Sequence, residues 1–452
     1  MDKKALLEMI TQIERTDEEV MELAVERQAS LAKPPGSLGG LEEIAIRMAG
    51  ITGQVIPKET FPGRGCVIVF CADNGVVSQG VTSAPQSVTR AQTMNFTRRL
   101  TGVGALSKSF GSELMIVDMG VKDPIPEGLY DRDFGGLEAR QEPAPADTQK
   151  LEQGVARELG PDVTQQPAPD VTQQPVPLWN SHKIVDRRIR PGTWDISEGP
   201  AMTEEEARRA FAAGIEMSRT AVAAGYDILG IGEMGIGNTT TSAAVLSCIT
   251  GASADKTCGR GGGVNDKGFL RKKEIVDQIL QEWKGGCDLA GEGHSQSQIG
   301  DVLKPANDPN LEMRFDRILR ILSRCGGFDI AAMTGAFLGA AMENTPVVID
   351  GYISVVGALA AAEIMPAAAD YMFASHVSAE PGYALAVQKL AAYSPGLQPF
   401  LSLGMRLGEG SGCPIAFEVI RGACDVMRNM ATFEEAAIND DYLEEVRQGG
   451  CF

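Results

Sequence analysis

The chain has 452 residues, 43% of them hydrophobic, which is enough apolar material for one large core or two of ordinary size. A formal net charge of −19 repels nucleic acid and anionic membrane, so neither is expected as a partner, and a phosphate-bearing substrate must find a local site of backbone amides and a few lysines. Nine cysteines with no Cys-x-x-Cys pair, and only three histidines, argue against a zinc centre or a disulfide framework; the scattered thiols suit a reducing, cytoplasmic setting.

In chain order, the first residues are acidic and amphipathic, without the apolar run of a signal peptide. Leu7, Ile10, Ile13, Val20, Leu23 and Ala24 recur at helical spacing and predict a helix over 4–30, broken by Lys33-Pro-Pro-Gly-Ser-Leu-Gly-Gly40. Buried strands are then expected at 66–72, 114–119, 226–231, 346–349, 371–374 and 399–403, with helical patterns at 203–223, 268–283, 328–341 and 412–430. This alternation predicts an α/β fold with a mostly parallel sheet flanked by helices. Ligands in such sheets bind beyond the carboxyl ends of the strands, where several of these runs finish in small or polar turns. The apolar stretch from Ile353 to Ala374 is interrupted by Glu363, Pro366 and Asp370 and is too broken to span a bilayer.

Two stretches do not fit the alternation. Residues from about 140 to 190 are rich in Pro, Gln, Asp and Glu and hold a tandem octapeptide, Pro161–Ala168 and Pro169–Val176, expected as a disordered surface insertion. A second polar stretch at about 288–311 is expected as another insertion.

The central motif is Gly230-Ile-Gly-Glu-Met-Gly-Ile-Gly-Asn-Thr-Thr-Thr241, placed between a strand and a helix starting near Ser242. It meets the Gly-x-Gly-x-x-Gly dinucleotide pattern, but Glu233 would sit in the turn and repel a pyrophosphate. Overlaid on a P-loop, it has Asn238 where the lysine belongs. What survives is a glycine turn running into a helix N-terminus, an anion site suited to one phosphate. A second glycine loop, Gly259-Arg-Gly-Gly-Gly-Val-Asn-Asp-Lys-Gly268, suggests close approach to a ligand, and Lys272 or Lys273 one turn later is either its cation or a solvated lysine on a helix. Glu409, in Arg406-Leu-Gly-Glu-Gly-Ser-Gly412, is either a helix cap or a positioned general base. Asp73 and Asp118 read as turn formers or site residues. His376 with Glu380 reads as catalytic or structural, and the polar loop 80–89 as a pocket wall.

Taken together, Gly232-Glu-Met-Gly-Ile-Gly-Asn-Thr-Thr240, Arg406-Leu-Gly-Glu-Gly410 and Lys33-Pro-Pro-Gly-Ser-Leu38 resemble the nicotinate-nucleotide–dimethylbenzimidazole phosphoribosyltransferase family, which serves assembly of the cobalamin lower ligand. Cys325-Gly-Gly-Phe-Asp-Ile-Ala-Ala-Met-Thr-Gly335, Asp350-Gly351 and Ala374-Ser-His-Val-Ser-Ala-Glu380 are similar to that family too. The resemblance covers nearly the whole chain except the two insertions. It implies a Rossmann-like sheet with a small helical domain, here residues 1–40, beside an α/β catalytic domain of 41–452, whose last helices join the small domain. It also implies a homodimer, no metal and no cofactor. Carried over, Glu409 is the general base; on chemical grounds Glu233 is expected to stabilise the positive charge that develops on ribose. Gly235, Gly237, Asn238, Thr239, Gly261, Gly262 and Gly263 hold nicotinate mononucleotide, and Lys272 pairs with its phosphate. Met234, Leu407, Gln92 and the loop at Pro85 line the base pocket. Three positions depart from the family pattern: Ala84 replaces a serine before Pro85, Tyr383 stands where a histidine is expected, and Asn265 where an aspartate is common. The first leaves the choice of base open, with adenine or a phenolic as alternatives. An NAD-dependent dehydrogenase and a non-catalytic nucleotide-binding protein are the readings from other classes.

Overall fold

Six parallel strands form one sheet: Gly65–Ala72 (β1), Glu113–Gly120 (β2), Ile184–Asp186 (β3), Ile228–Met234 (β4), Val347–Ile349 (β5) and Met372–Ala374 (β6), in the order β3-β2-β1-β4-β5-β6. These elements come from a computed structural model that describes residues 1–58, 61–135, 179–287, 308–439 and 443. Every residue of β1 and β4 is buried. A parallel strand covered by helices on both faces has no wet side, so it reads as an unbroken apolar run, as Cys66-Val-Ile-Val-Phe-Cys71 does. β1 and β4 pair in register from Gly65↔Ile228 to Cys71↔Met234, which brings the two carboxyl ends level. The chain winds outward in opposite directions from this pair, so their carboxyl ends form the crevice where a doubly wound sheet binds its ligand.

Local chemistry explains the flanking helices. Thr203 and Glu206 form a reciprocal capping box that starts the helix Glu204–Ala223. That helix lies against Phe328–Met342 with backbone on backbone. A Cβ on Gly214 would collide with the Ala332 carbonyl oxygen, and one on Gly335 with that of Phe211. Among the described residues, no helix is long and apolar enough to cross a membrane.

The structure departs from the sequence expectations at four places. The single helix expected over 4–30 is two, Lys3–Ile10 and Glu18–Ser30. Asp2 and Asp17 each cap one, accepting from Ala5 and Val20 amides, and Ile13 is buried in the link between them. No strand forms at 399–403. Leu401 alone bridges His376, because Pro399 has no N–H to offer a ladder. Conversely, β3 lies inside the stretch expected as an insertion. Ile184 and Val185 are buried against β2, two apolar residues of a three-residue strand, too few to stand out among charged neighbours. Positions 136–178, with the octapeptides, and 288–307 lie outside the described residues. Finally, β4 runs on through Met234 and the next helix begins at Asn238, so the turn is only Gly235–Gly237 and Glu233 belongs to the strand. The same boundary removes the dinucleotide fingerprint, since Gly230 and Gly232 sit within β4 and build no turn. At the N-terminal end, residues 30–32 pair with 431–433, joining the first helices to the last segment.

Candidate active site

A cavity of about 260 Å³ opens beyond the carboxyl ends of β4, β5 and β6, walled on one side by the loop after β1. Its lining includes Glu233, Met234, Gly235, Gly237, Asn238, Thr239, Gly261, Gly262, Gln92, Leu407 and Glu409. Pro85 stands next to Ala84, which does line it, and Gly263 follows Gly262. Lys272 lies one layer behind. It is fully buried, and its Nζ donates to Thr239 Oγ1 at 3.0 Å and the Gly259 carbonyl at 2.9 Å. A larger hollow of about 620 Å³, lined by Glu113, Tyr130, Asp131 and Trp179, holds none of these residues.

Among the carboxylates that line the cavity, Glu409 accepts the most hydrogen bonds. Its Oε2 accepts from the Gly102 amide at 3.0 Å and the Val103 amide at 3.4 Å, and its Oε1 from Gln92 Nε2 at 3.1 Å. Gly102 and Val103 open the helix Gly102–Phe110, so the carboxylate rests on a helix N-terminus, whose unpaired amides favour negative charge. Burial still pushes its pKa above the usual carboxylate value, against those amides and Gln92. A raised but ionisable carboxylate beside a cavity has the properties of a general base.

Glu233 has a different setting. It accepts from the Asn238 side chain, whose Nδ2 also donates to Asp329 Oδ2 at 3.1 Å. Burial, and then the neighbouring Asp329 carboxylate, push Glu233 up to about 8. Burial likewise lifts Asp329 to about 6 and Asp350 to about 7. The ligand-free cavity therefore holds protonated acid near neutral pH, ready to ionise when a cation enters.

The opposite end is made of amides. The helix Asn238–Thr250 has Gly237 at its N-cap, with no side chain to cap it, so its first turn faces the cavity as an anion site. Gly261 comes up beside Thr239, where a Cβ on it would meet the Thr239 hydroxyl at 2.8 Å, and Gly262 faces the cavity. The Gly261 amide donates to Glu380 Oε1 at 2.9 Å. Apolar side chains of Ala84, Val88, Met234, Ile236 and Ile353 line the cavity as well.

The weaker sequence candidates are placed too. Asp118 accepts from the Gly120 and Val121 amides and the Tyr130 hydroxyl, closing a turn at the end of β2. Asp73 accepts from the Lys122 amide, away from the cavity lining. His376 lines the cavity with its Nδ1 2.9 Å from Ser375 Oγ, and burial lowers its pKa. Lys273 pairs with Asp255 at the surface. Asn265 accepts from the Gly268 amide at the start of the helix Asp266–Cys287, a capping task that aspartate and asparagine share. Sequence reasoning missed Gly102 and Val103 as the seat of Glu409. The signal was present in Thr101-Gly-Val-Gly104, an N-cap threonine followed by two glycines.

A doubly wound sheet, an uncapped helix turn over a glycine loop and a buried carboxylate across the cavity suit an enzyme acting on a small phosphorylated substrate. Consistent with that class, residues 13–438 match the model of a family described as phosphoribosyltransferase. A nicotinate-nucleotide–dimethylbenzimidazole phosphoribosyltransferase of Clostridium perfringens is 41% identical over 448 residues, 99% of each chain. The enzyme of that name from Clostridium tetani is 35% identical over 446 residues, 98% of each. The crystal structure of CobT from Thermus thermophilus superposes with a TM-score of 0.70 at 31% identity, covering 93% of this chain and 99% of that one. The chain belongs to the nicotinate-nucleotide–dimethylbenzimidazole phosphoribosyltransferase family.

Proposed function

We propose that the protein transfers the phosphoribosyl group of nicotinate mononucleotide to 5,6-dimethylbenzimidazole, releasing nicotinate and giving α-ribazole 5′-phosphate, in the nucleotide-loop branch of cobalamin biosynthesis. The observation that carries this reading is the Glu409 carboxylate, held on a helix N-terminus and by Gln92 beside a cavity with apolar walls, with an amide-lined anion site on the same cavity.

In this reading the phosphate faces the uncapped turn at Gly237–Thr239 and the Gly262 loop. The buried Lys272 reinforces Thr239 from behind and lends its charge through that hydroxyl. Ala84, Val88, Met234 and Leu407 flank the aromatic base. One imidazole nitrogen of the base attacks the anomeric carbon from the face opposite the pyridinium. The new C–N bond forms as the bond to nicotinate breaks, and its electron pair neutralises the pyridine nitrogen, so the sugar inverts from β to α. The second imidazole nitrogen becomes acidic as the first is alkylated, and Glu409 takes its proton. Glu233 gives up its proton to solvent when the pyridinium nucleotide binds, and the resulting carboxylate stabilises the positive charge that gathers on the ribose. Holding both rings in line supplies much of the remaining acceleration.

Ala84 leaves its own position on the cavity wall without a hydroxyl, while the neighbouring Thr82, whose Oγ1 accepts from the Ala84 amide at 3.2 Å, keeps its O–H to donate. We further read the protein as a cytoplasmic homodimer with a small helical domain of residues 1–40 beside an α/β catalytic domain of 41–452, as the family resemblance implies.

The test is incubation of the purified protein with nicotinate mononucleotide and 5,6-dimethylbenzimidazole. Stoichiometric nicotinate and an α-ribosyl phosphate are expected. Competition with adenine and a phenol then ranks the bases. Bound nucleotide with no transfer to any of them would overturn the reading.

A further inference from the structure

Glu409 is a non-glycine residue at φ +64, between Gly408 at +84 and Gly410 at +86. The two glycines adopt that conformation freely, but Glu409 carries a Cβ there, a strain kept only where the surroundings over-determine it. On one side, the loop lies directly on β4. A Cβ on Gly232 would come within 2.6 Å of the Glu409 carbonyl oxygen and 2.7 Å of Gly410 Cα. On the other side stands Asp350, 1% exposed at the end of β5. Its Oδ2 accepts from the Gly410 amide at 3.0 Å and its Oδ1 from the Gly412 amide at 2.7 Å. Asp350 is itself rooted in the sheet. Its amide donates to Ser354 Oγ at 3.2 Å, and that hydroxyl donates to the Ile231 carbonyl of β4 at 2.8 Å.

A carboxylate with each oxygen on a different amide of one loop fixes that loop in position and rotation. Asp350 also lines the cavity, but both of its carboxylate oxygens are taken by these loop amides, so its effect on the reaction runs through Glu409. We propose that Asp350 is a positioning residue for the transfer. It clamps Gly410 and Gly412 and so holds the Glu409 backbone in the left-handed conformation that lays its carboxylate on the Gly102–Val103 amides at the cavity wall. This inference rests on the reading of Glu409 as the base.

Asp350→Asn is the direct test. A carboxamide offers one acceptor oxygen and an NH₂ group, so one of the two loop amides faces a donor and must move. The turnover number for nicotinate release should fall at least about tenfold, with KM for nicotinate mononucleotide within about twofold of wild type. In a Glu409→Gln background the same substitution should cost less than about twofold, because the group it positions no longer takes a proton. A merely structural role would cost the same in both backgrounds, and that result, a change confined to KM or an unchanged turnover number would overturn the proposal. Residue-resolved hydrogen exchange on the unmodified protein stands independent of activity and of whether the variant folds. The Gly410 and Gly412 amides should exchange slowly although they lie in a loop. Free-peptide rates there would refute the clamp. Wild-type protein that releases no nicotinate would sink the reading of Glu409 instead, leaving the exchange result to decide Asp350.

Discussion

Two glycine-rich regions close the cavity, one a single loop and the other a pair of loops, and they use their backbone in opposite ways. At 408–412 the amides turn inward onto protein carboxylates, and the product of that arrangement is one group presented to the cavity, the Glu409 side chain. At 235–239 and 259–263 the loops are braced from beneath by Lys272, and an uncapped helix turn faces the cavity. Both read alike as strings of glycine. A glycine run says that backbone comes close to something; whether that something is ligand or protein depends on what the sheet places opposite. β4 and β5 place Glu233 and Asp350 opposite the first loop, and the helix Asp266–Cys287 places Lys272 under the second.

The contrast breaks most sharply at the acid end. Glu409→Gln keeps the size of the side chain and removes the proton acceptor. Turnover should fall about 10²- to 10⁴-fold, the usual worth of a general base, with nucleotide affinity unchanged in a binding titration. Equal losses in both would argue for a structural carboxylate.

At the amide end the order reverses. Lys272→Met should raise KM for nicotinate mononucleotide roughly ten- to a hundredfold, the scale of a hydrogen bond involving a charged group, with turnover at saturating substrate much less affected. Steady-state kinetics with varied nucleotide separates the two effects.

Stability against pH probes the same asymmetry. Glu233 titrates at about 8 in the folded chain and in the ordinary glutamate range when unfolded, so the folded chain holds the extra proton. That contribution is fully present below the ordinary range and is lost as pH rises through about 8. Asp329, at about 6, and Asp350, at about 7, act in the same direction. The ligand-free protein should therefore lose Tm between about pH 5 and pH 8, and Glu233→Gln should flatten that fall. An unchanged slope would mean that Glu233 is ionised in the empty cavity. Of the four effects the smallest belongs to Gln92→Leu, which deletes one donor to Glu409. Turnover should drop about fivefold, and the acidic limb of the rate profile should move to higher pH, because the lost hydrogen bond favoured the charged form.

Particular residues show how much of this was legible beforehand. β1, β2, β4, β5 and β6 were visible as apolar runs, and Glu409, Glu233 and the glycine turns as polar residues that helix or strand propensity does not explain. β3 was hidden because three residues carry too little pattern. The break at Thr11–Thr16 was hidden because helical spacing continues across it by chance. Lys272 and Lys273 were indistinguishable in sequence. One is fully buried against Thr239 and Gly259, the other paired at the surface with Asp255.

By itself the sequence determined the fold class, because strands buried on both faces and amphipathic helices each write a local period, and it determined which residue types were out of place. Only the tertiary structure decided their partners. Gly102 and Glu409 are 307 positions apart, Asn238 and Asp329 are 91 apart, and Asp350 and Gly410 are 60 apart. Contacts at such separations leave no periodicity in the chain. They follow from the strand order, which sets the ends of β1, β4, β5 and β6 side by side, and burial there turns ordinary carboxylates into groups that titrate near neutrality.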